Sequence, residues 1–151
     1  MLPEGQTVES VPCSEVTAFY RRVEEHRCKG ISHDLFHCDR DECFVGKANG
    51  EIIGAVCLST VLKIKNGMTD GPMSEVSGVY VLQEHRQGGL GYELVLRACQ
   101  RLIELGRVPI FFNAINSTTG KLLAKLPLDV KQNIRVYPSF LHYGHEPLPD
   151  E

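Results

Sequence analysis

No excess of positive charge runs through this chain. Sixteen lysines and arginines stand against nineteen acidic residues, giving a net charge of −3 and a pI near 6.1. The electrostatic footprint of a nucleic-acid binder is missing, and Lys63 and Lys65 make only a small local cluster. No apolar run approaches the ~18–20 residues that span a bilayer. The opening Met1-Leu2-Pro3-Glu4-Gly5 has neither the charged region nor the apolar stretch of a secretory signal. The expected address is cytoplasmic, with neither membrane nor nucleic acid as a partner. Repeats, low-complexity tracts and internal linkers are absent as well. The 151 residues, 42% of them hydrophobic, are expected to bury one core as a single domain.

Paired cysteine spacing is missing too, although cysteine is not. Cys13, Cys28, Cys38, Cys43, Cys57 and Cys99 show no secreted framework and read as free thiols. Cys57 and Cys99 fall in apolar segments and read as small core residues. His26, Cys28, His33, His37, Cys38 and Cys43 gather in one stretch. There His33 and His37 have the i, i+4 spacing that can bind zinc. No Cys-x-x-Cys accompanies them, and Asp34, Asp39 and Asp41 interrupt any zinc-finger pattern. The expectation is polar residues near a helix end, and no metal.

What the chain does have is the run from Val79 to Gly91. An apolar stretch (Val79-Tyr80-Val81-Leu82) meets a polar turn, then Arg86-Gln87-Gly88-Gly89-Leu90-Gly91 opens a long amphipathic segment. This reads as a strand feeding a glycine-lined loop at a helix N-terminus. Glycines let backbone approach a ligand, and the unbonded N–H groups of the first helical turn, aided by the helix dipole, make a seat for phosphate. A dinucleotide fingerprint would need a third glycine where Leu94 stands. A Walker-type loop would need Gly-Lys-Ser/Thr, and Gly91 is followed by Tyr92-Glu93.

The rest of the chain arranges itself around that unit. Thr7 to Val11 reads as a first strand, and Ser14 caps a helix to about Glu25, with Val16, Phe19, Tyr20 and Val23 at helical spacing. A short helix is expected around His33 to Cys38. Cys43–Lys47 and Ile52–Val61 read as strands about the turn Ala48-Asn49-Gly50. Lys65 to Pro72 reads as a loop, and Glu75 to Leu82 as the next strand. From Leu90 to Leu105 the apolar set Leu94, Val95, Ala98, Leu102 and Leu105 marks a helix, with Gly106 as its C-cap. Val108–Ile115 reads as a buried strand, Ser117–Lys125 as a helix, and 134–143 as a last strand region in which Pro138 argues against a central position.

Arg86, Gly89 and Gly91 match Arg/Gln-x-x-Gly-x-Gly/Ala, so the chain resembles the GNAT N-acetyltransferase superfamily over roughly residues 7–143. The resemblance implies an α/β (α+β) fold, one mixed central sheet flanked by helices. It also implies acetyl-CoA as co-substrate. Val79 and Val81 would pair with the pantetheine arm, and Tyr80, Arg86, Gln87, Gly88, Gly89, Leu90, Gly91, Tyr92 and Asn116 would complete the cofactor-binding set. In the histone-acetylating branch a strand glutamate eleven positions before the loop's Arg/Gln is the general base. Eleven before Arg86 stands Glu75. The chemistry wants it because a lysine-like amine, with a pKa near 10.4, arrives protonated and cannot attack a thioester.

A second family landmark, Asn-x-x-Ala-x-x-Leu-Tyr-x-x-x-Gly-Phe, is met only in part. Asn116 and Leu122 fit, but Leu123 stands where the family has the tyrosine that protonates the leaving thiolate, and Pro127-Leu128 replaces Gly-Phe. Leucine donates no proton, so Ser117, Tyr137, Tyr143 or solvent must serve. Two functions follow. One is acetyl transfer to a primary amine by direct attack in a ternary complex; the other is a non-catalytic acyl-CoA-binding or regulatory protein, suggested by Leu123. The acceptor, a small-molecule or peptidyl amine, would arrive beside residues 27–41 and 137–143. Asp34, Asp39, Asp41 and Glu42 in the first of these would attract a cation. A homodimer is the family's usual assembly.

Overall fold

The structure, a computed structural model, describes residues 2–27, 42–65, 68–113 and 117–137; at positions 13, 24–27, 59–65, 68–73, 77–78, 113, 117–118 and 137 it describes the backbone alone. A mixed sheet organises them. Its strands β1 (Gln6–Val11), β2 (Glu42–Ala48), β3 (Glu51–Lys65), β4 (Met68–Val81), β5 (Ile110–Asn113) and β6 (Ile134–Tyr137) lie side by side in chain order. β1 to β4 form an antiparallel meander, and β5 and β6 extend it in parallel. Asn49 and Gly50, at φ 52° and 86°, close the β2–β3 hairpin. Two successive positive φ values give the turn whose twist suits a hairpin.

Alternation along the strands gives the sheet two apolar faces. On one lies α1 (Cys13–Arg27), burying the expected Val16, Phe19, Tyr20 and Val23 against Cys43, Val45, Ala55 and Cys57. On the other lies α2 (Leu90–Glu104), whose Leu94, Val95, Ala98, Cys99 and Leu102 pack on Phe44, Val56, Leu58, Val76 and Ile110. α3 (Ser117–Ala124) adds Leu123 to this second core. A short α4 (Leu128–Lys131), which periodicity over so few residues does not reveal, adds Val130. Gly106 ends α2 as expected: at φ 71° its N–H bonds to the Ile103 carbonyl and that of Arg107 to the Leu102 carbonyl. These are the two bonds of a Schellman closure.

Several boundaries differ from expectation. α1 begins at Cys13, so Ser14 lies in its first turn and does not cap it. Of the loop expected from Lys65 to Pro72, the described residues are strand: Lys65 pairs with Met68, Ile64 with Thr69 and Leu62 with Pro72. Pairing with β3, which no local pattern encodes, prevails there over the turn-forming composition. β5 begins two residues later than expected, at Ile110, and Val108 and Leu105 are exposed. The helix expected around His33 to Cys38 and the strand region beyond Tyr137 lie outside the described residues.

Candidate active site

The sheet parts at β4. Among the described residues β4 and β5 pair only at Ser74–Ile110 and Glu75–Phe111, while β4 runs on to Val81. One step further along, Ala55 faces Tyr80 but Cys57 faces Ser77, so Gly78 and Val79 together oppose Val56. Such a bulge bends and twists its strand. From Val76 onward the far edge of β4 has no strand beside it among the described residues. The Leu82 N–H bonds to the Ile53 carbonyl at 2.8 Å while Val81 faces Gly54. That pattern defines a non-hydrogen-bonded pair, so the N–H and C=O of Val81 point away from β3, towards the open edge.

Glu75 occupies the last rung before the parting, level with Phe111 on β5 and Arg135 on β6. It is half-buried. Counting alternation from Tyr80 and across the bulge puts it on the α1 face of the sheet, opposite to Val76. Tyr137 ends β6 two residues past that rung, about 7 Å along the strand. The open ends of β4, β5 and β6 therefore share one side of the molecule with the glycine loop.

In that loop, Gln87 (φ 71°) and Gly89 (φ 87°) both take left-handed backbone. Gly89 precedes α2 and offers no side chain to its first turn. The N–H groups of Leu90, Gly91 and Tyr92 have no intrahelical acceptor; the first bond of the helix runs from the Glu93 N–H to the Gly89 carbonyl. A Cβ added at Gly89 would meet no atom within 4 Å, whereas one at Gly88 would touch Pro3 at 3.4 Å and one at Gly91 would touch Leu122 at 3.5 Å. Open space outside Gly89 and unbonded donors beneath it are what a pyrophosphate requires, so the loop fits the CoA group that the sequence implies.

Side chains around the loop hold it in place. The Arg86 Nε donates to the Val81 carbonyl at 2.8 Å, and its guanidinium lies 5.2 Å from the centre of the Tyr80 ring. Arg86 thus ties the loop to the end of β4 and occupies one edge carbonyl itself. Tyr92 turns its hydroxyl to the Lys125 carbonyl at 3.3 Å, bracing α2 against the end of α3. Leu90 is buried, so its contribution to a ligand is its N–H alone. Leu123 is a core residue under α2, which gives a packing reason for leucine at that position. Glu42 does not stand free for a cationic acceptor: its carboxylate accepts from the Arg101 Nε at 3.1 Å.

Asn116 and Tyr143, with Cys28, His33, Asp34, His37, Cys38, Asp39 and Asp41, lie outside the described residues, and the side chains of His26, Ser117 and Tyr137 are not described. Of that cysteine and histidine stretch only Cys43 is placed, buried 3.6 Å from the Cys57 sulfur. Among the described residues no helix is long and apolar enough to cross a membrane.

Comparison with known proteins agrees with this fold. The model of the acetyltransferase (GNAT) family matches residues 12–118, and the chain belongs to that family. Its fold is similar to that of an aminoglycoside acetyltransferase from an uncultured soil metagenomic sample, solved in complex with sisomicin (15% identity, 82% of this chain and 88% of that one, TM-score 0.56). A GCN5-related N-acetyltransferase from Ralstonia eutropha is similar at 15% identity, 80% and 89% coverage and TM-score 0.56. So is a predicted acetyltransferase from Clostridium acetobutylicum with acetyl-CoA, at 11% identity, 80% and 87% coverage and TM-score 0.57. No curated protein matches in sequence.

Proposed function

We propose that the chain is a cytoplasmic N-acetyltransferase that moves an acetyl group from acetyl-CoA to a primary amine by direct attack in a ternary complex. One observation carries this reading. The uncapped N-terminus of α2 lies on the side of the molecule where β4 loses its neighbour, and Glu75 stands on the last rung before the parting.

The N–H groups of Leu90, Gly91 and Tyr92 would hold the pyrophosphate, with Gln87, Gly88 and Gly89 shaping the turn around it and Arg86 anchoring that turn on Tyr80. Val79 and Val81 would offer the pantetheine arm a strand edge, and Asn116 would complete the cofactor-binding set. Acetyl-CoA supplies a thioester carbonyl and a thiolate that leaves readily, its thiol pKa being near 8.5. Glu75, directly or through one water, takes the proton of the incoming ammonium, so that the neutral amine forms the N–C bond as the C–S bond breaks. Tyr137 and Tyr143 are the candidate proton donors to the departing sulfur, and the second proton, shed by the acylated nitrogen, replaces the one the tyrosine gives. The aminoglycoside acetyltransferases among the structural neighbours, together with Asp34, Asp39 and Asp41, support a cationic small-molecule acceptor over a peptidyl one.

Release of CoA thiol across a panel of polyamines, aminoglycosides and lysine peptides, with the product weighed by mass spectrometry, tests the proposal. An acetylated amine is the expected outcome. Leu123, a core residue where the family's proton donor stands, favours a second reading, a non-catalytic acyl-CoA binder. CoA binding without thiol release for any amine would support it.

A further inference from the structure

Gly46 on β2 and Gly54 on β3 face each other across the sheet. Together they leave a hole in its surface, and the first side chain of α2 fills it. A Cβ built on Gly46 would lie 2.5 Å from Leu90 Cδ1, 2.7 Å from Cδ2 and 2.9 Å from Cγ. One on Gly54 would lie 3.2 Å from Leu90 Cδ2 and 3.1 Å from the Tyr80 carbonyl oxygen. Leu90 is only 1% exposed and packed on all sides, so it has no free rotamer into which to retreat. A side chain at position 46 would have to be accommodated by moving the backbone that carries Leu90. That backbone is the first residue of α2, and its N–H groups form the proposed phosphate seat.

We infer that Gly46 and Gly54 are positioning residues for acyl-CoA. Their missing side chains let Leu90 sink into the sheet, which sets the height of the α2 N-terminus against the end of β4. The inference rests on the proposed acyl-CoA site. It adds that the site is aimed by a hole on its far side, formed by residues too deep to touch the ligand. A hydrogen bond fails beyond about 3.5 Å, so a displacement of about 1 Å breaks it, and losing one to a charged group costs about tenfold or more in affinity.

The test is a comparison of variants by calorimetric titration with CoA, each well below its melting temperature so that folded protein alone is measured. Gly46→Ala is expected to weaken CoA binding by about tenfold or more, because the added methyl lifts the helix end and its N–H groups lose their bonds to the phosphate. Leu90→Ala also loses stability, by leaving a cavity, but it does not push the helix outward. It is expected to bind CoA more tightly than Gly46→Ala by several-fold, and Leu90→Ala placed on Gly46→Ala is expected to recover most of that variant's lost affinity. If affinity instead followed melting temperature across the three, or if Gly46→Ala bound like wild type, the inference would be overturned. Should Gly46→Ala not fold, Leu90→Phe overfills the same hole from the helix side. Loss of CoA affinity there supports the inference, and unchanged affinity overturns it. Failure of the wild-type chain to bind CoA would be a different result, striking the proposed function itself.

Discussion

Cys99 lies in the middle of α2 with no exposed surface, and burial pushes its thiol up to about 12. At neutral pH it holds essentially no thiolate, the form that reacts. Native protein should therefore resist iodoacetamide at Cys99 and react there only after unfolding, as peptide mass mapping would show. The shift also fixes a pH dependence. Between the ordinary thiol range and about 12 the unfolded chain releases this proton and the folded chain keeps it, so stability contributed by Cys99 falls as pH rises through that window. The limiting slope is about 1.4 kcal/mol per pH unit, and Cys99→Ala should flatten the wild-type curve by that amount in denaturant titrations. Glu75 invites a test of another kind. Glu75→Gln keeps the shape but accepts no proton, so turnover with a protonated amine should fall by roughly 10²–10⁴ fold while CoA affinity stays. The defect should shrink as pH approaches the acceptor's own pKa; equal loss at all pH values would make Glu75 a structural residue.

At the scale of elements, the glycine loop and α2 stand or fall together. Gly89→Val should abolish CoA binding and leave the fold largely intact, since its Cβ would meet no protein atom within 4 Å, where the pyrophosphate is proposed to lie, at φ 87°. Wild-type affinity in that variant would move the phosphates elsewhere. Gly106→Ala has equally open surroundings at φ 71°, so its cost should be the backbone term alone, about 1 kcal/mol, with CoA affinity unaffected. This unit was readable in the sequence because its determinants are local: Arg86, Gly89 and Gly91 and the apolar spacing that follows all lie within one element. The hole under Leu90 was not readable, because Gly46 and Gly54 become a pair only once β2 and β3 are in register. The same holds for the bond from Arg86 to the Val81 carbonyl and for the strand that replaced the expected loop up to Pro72. By sequence Leu123 stands as a lost catalytic group; its core packing shows only when α3 is seated on α2.

For the whole molecule, a ligand that binds only the folded chain adds stability by mass action. CoA at 100 times its dissociation constant should add about 2.7 kcal/mol, visible as a rise in melting temperature; no rise at millimolar CoA would remove acyl-CoA from the account altogether. The parting of β4 from β5 has a mechanical side as well. Among the described residues, the rung pairs of Ser74 with Ile110 and Glu75 with Phe111 make up the β-ladder joining the meander of β1 to β4 to the pair β5 and β6. The gap proposed to admit a ligand is also the sheet's weakest seam. Amides of β5 should exchange with deuterium sooner than those of β2 and β3, and a molecule lodged in the gap, gripping the β4 edge on one side and the start of α3 on the other, would act as a clasp that slows them.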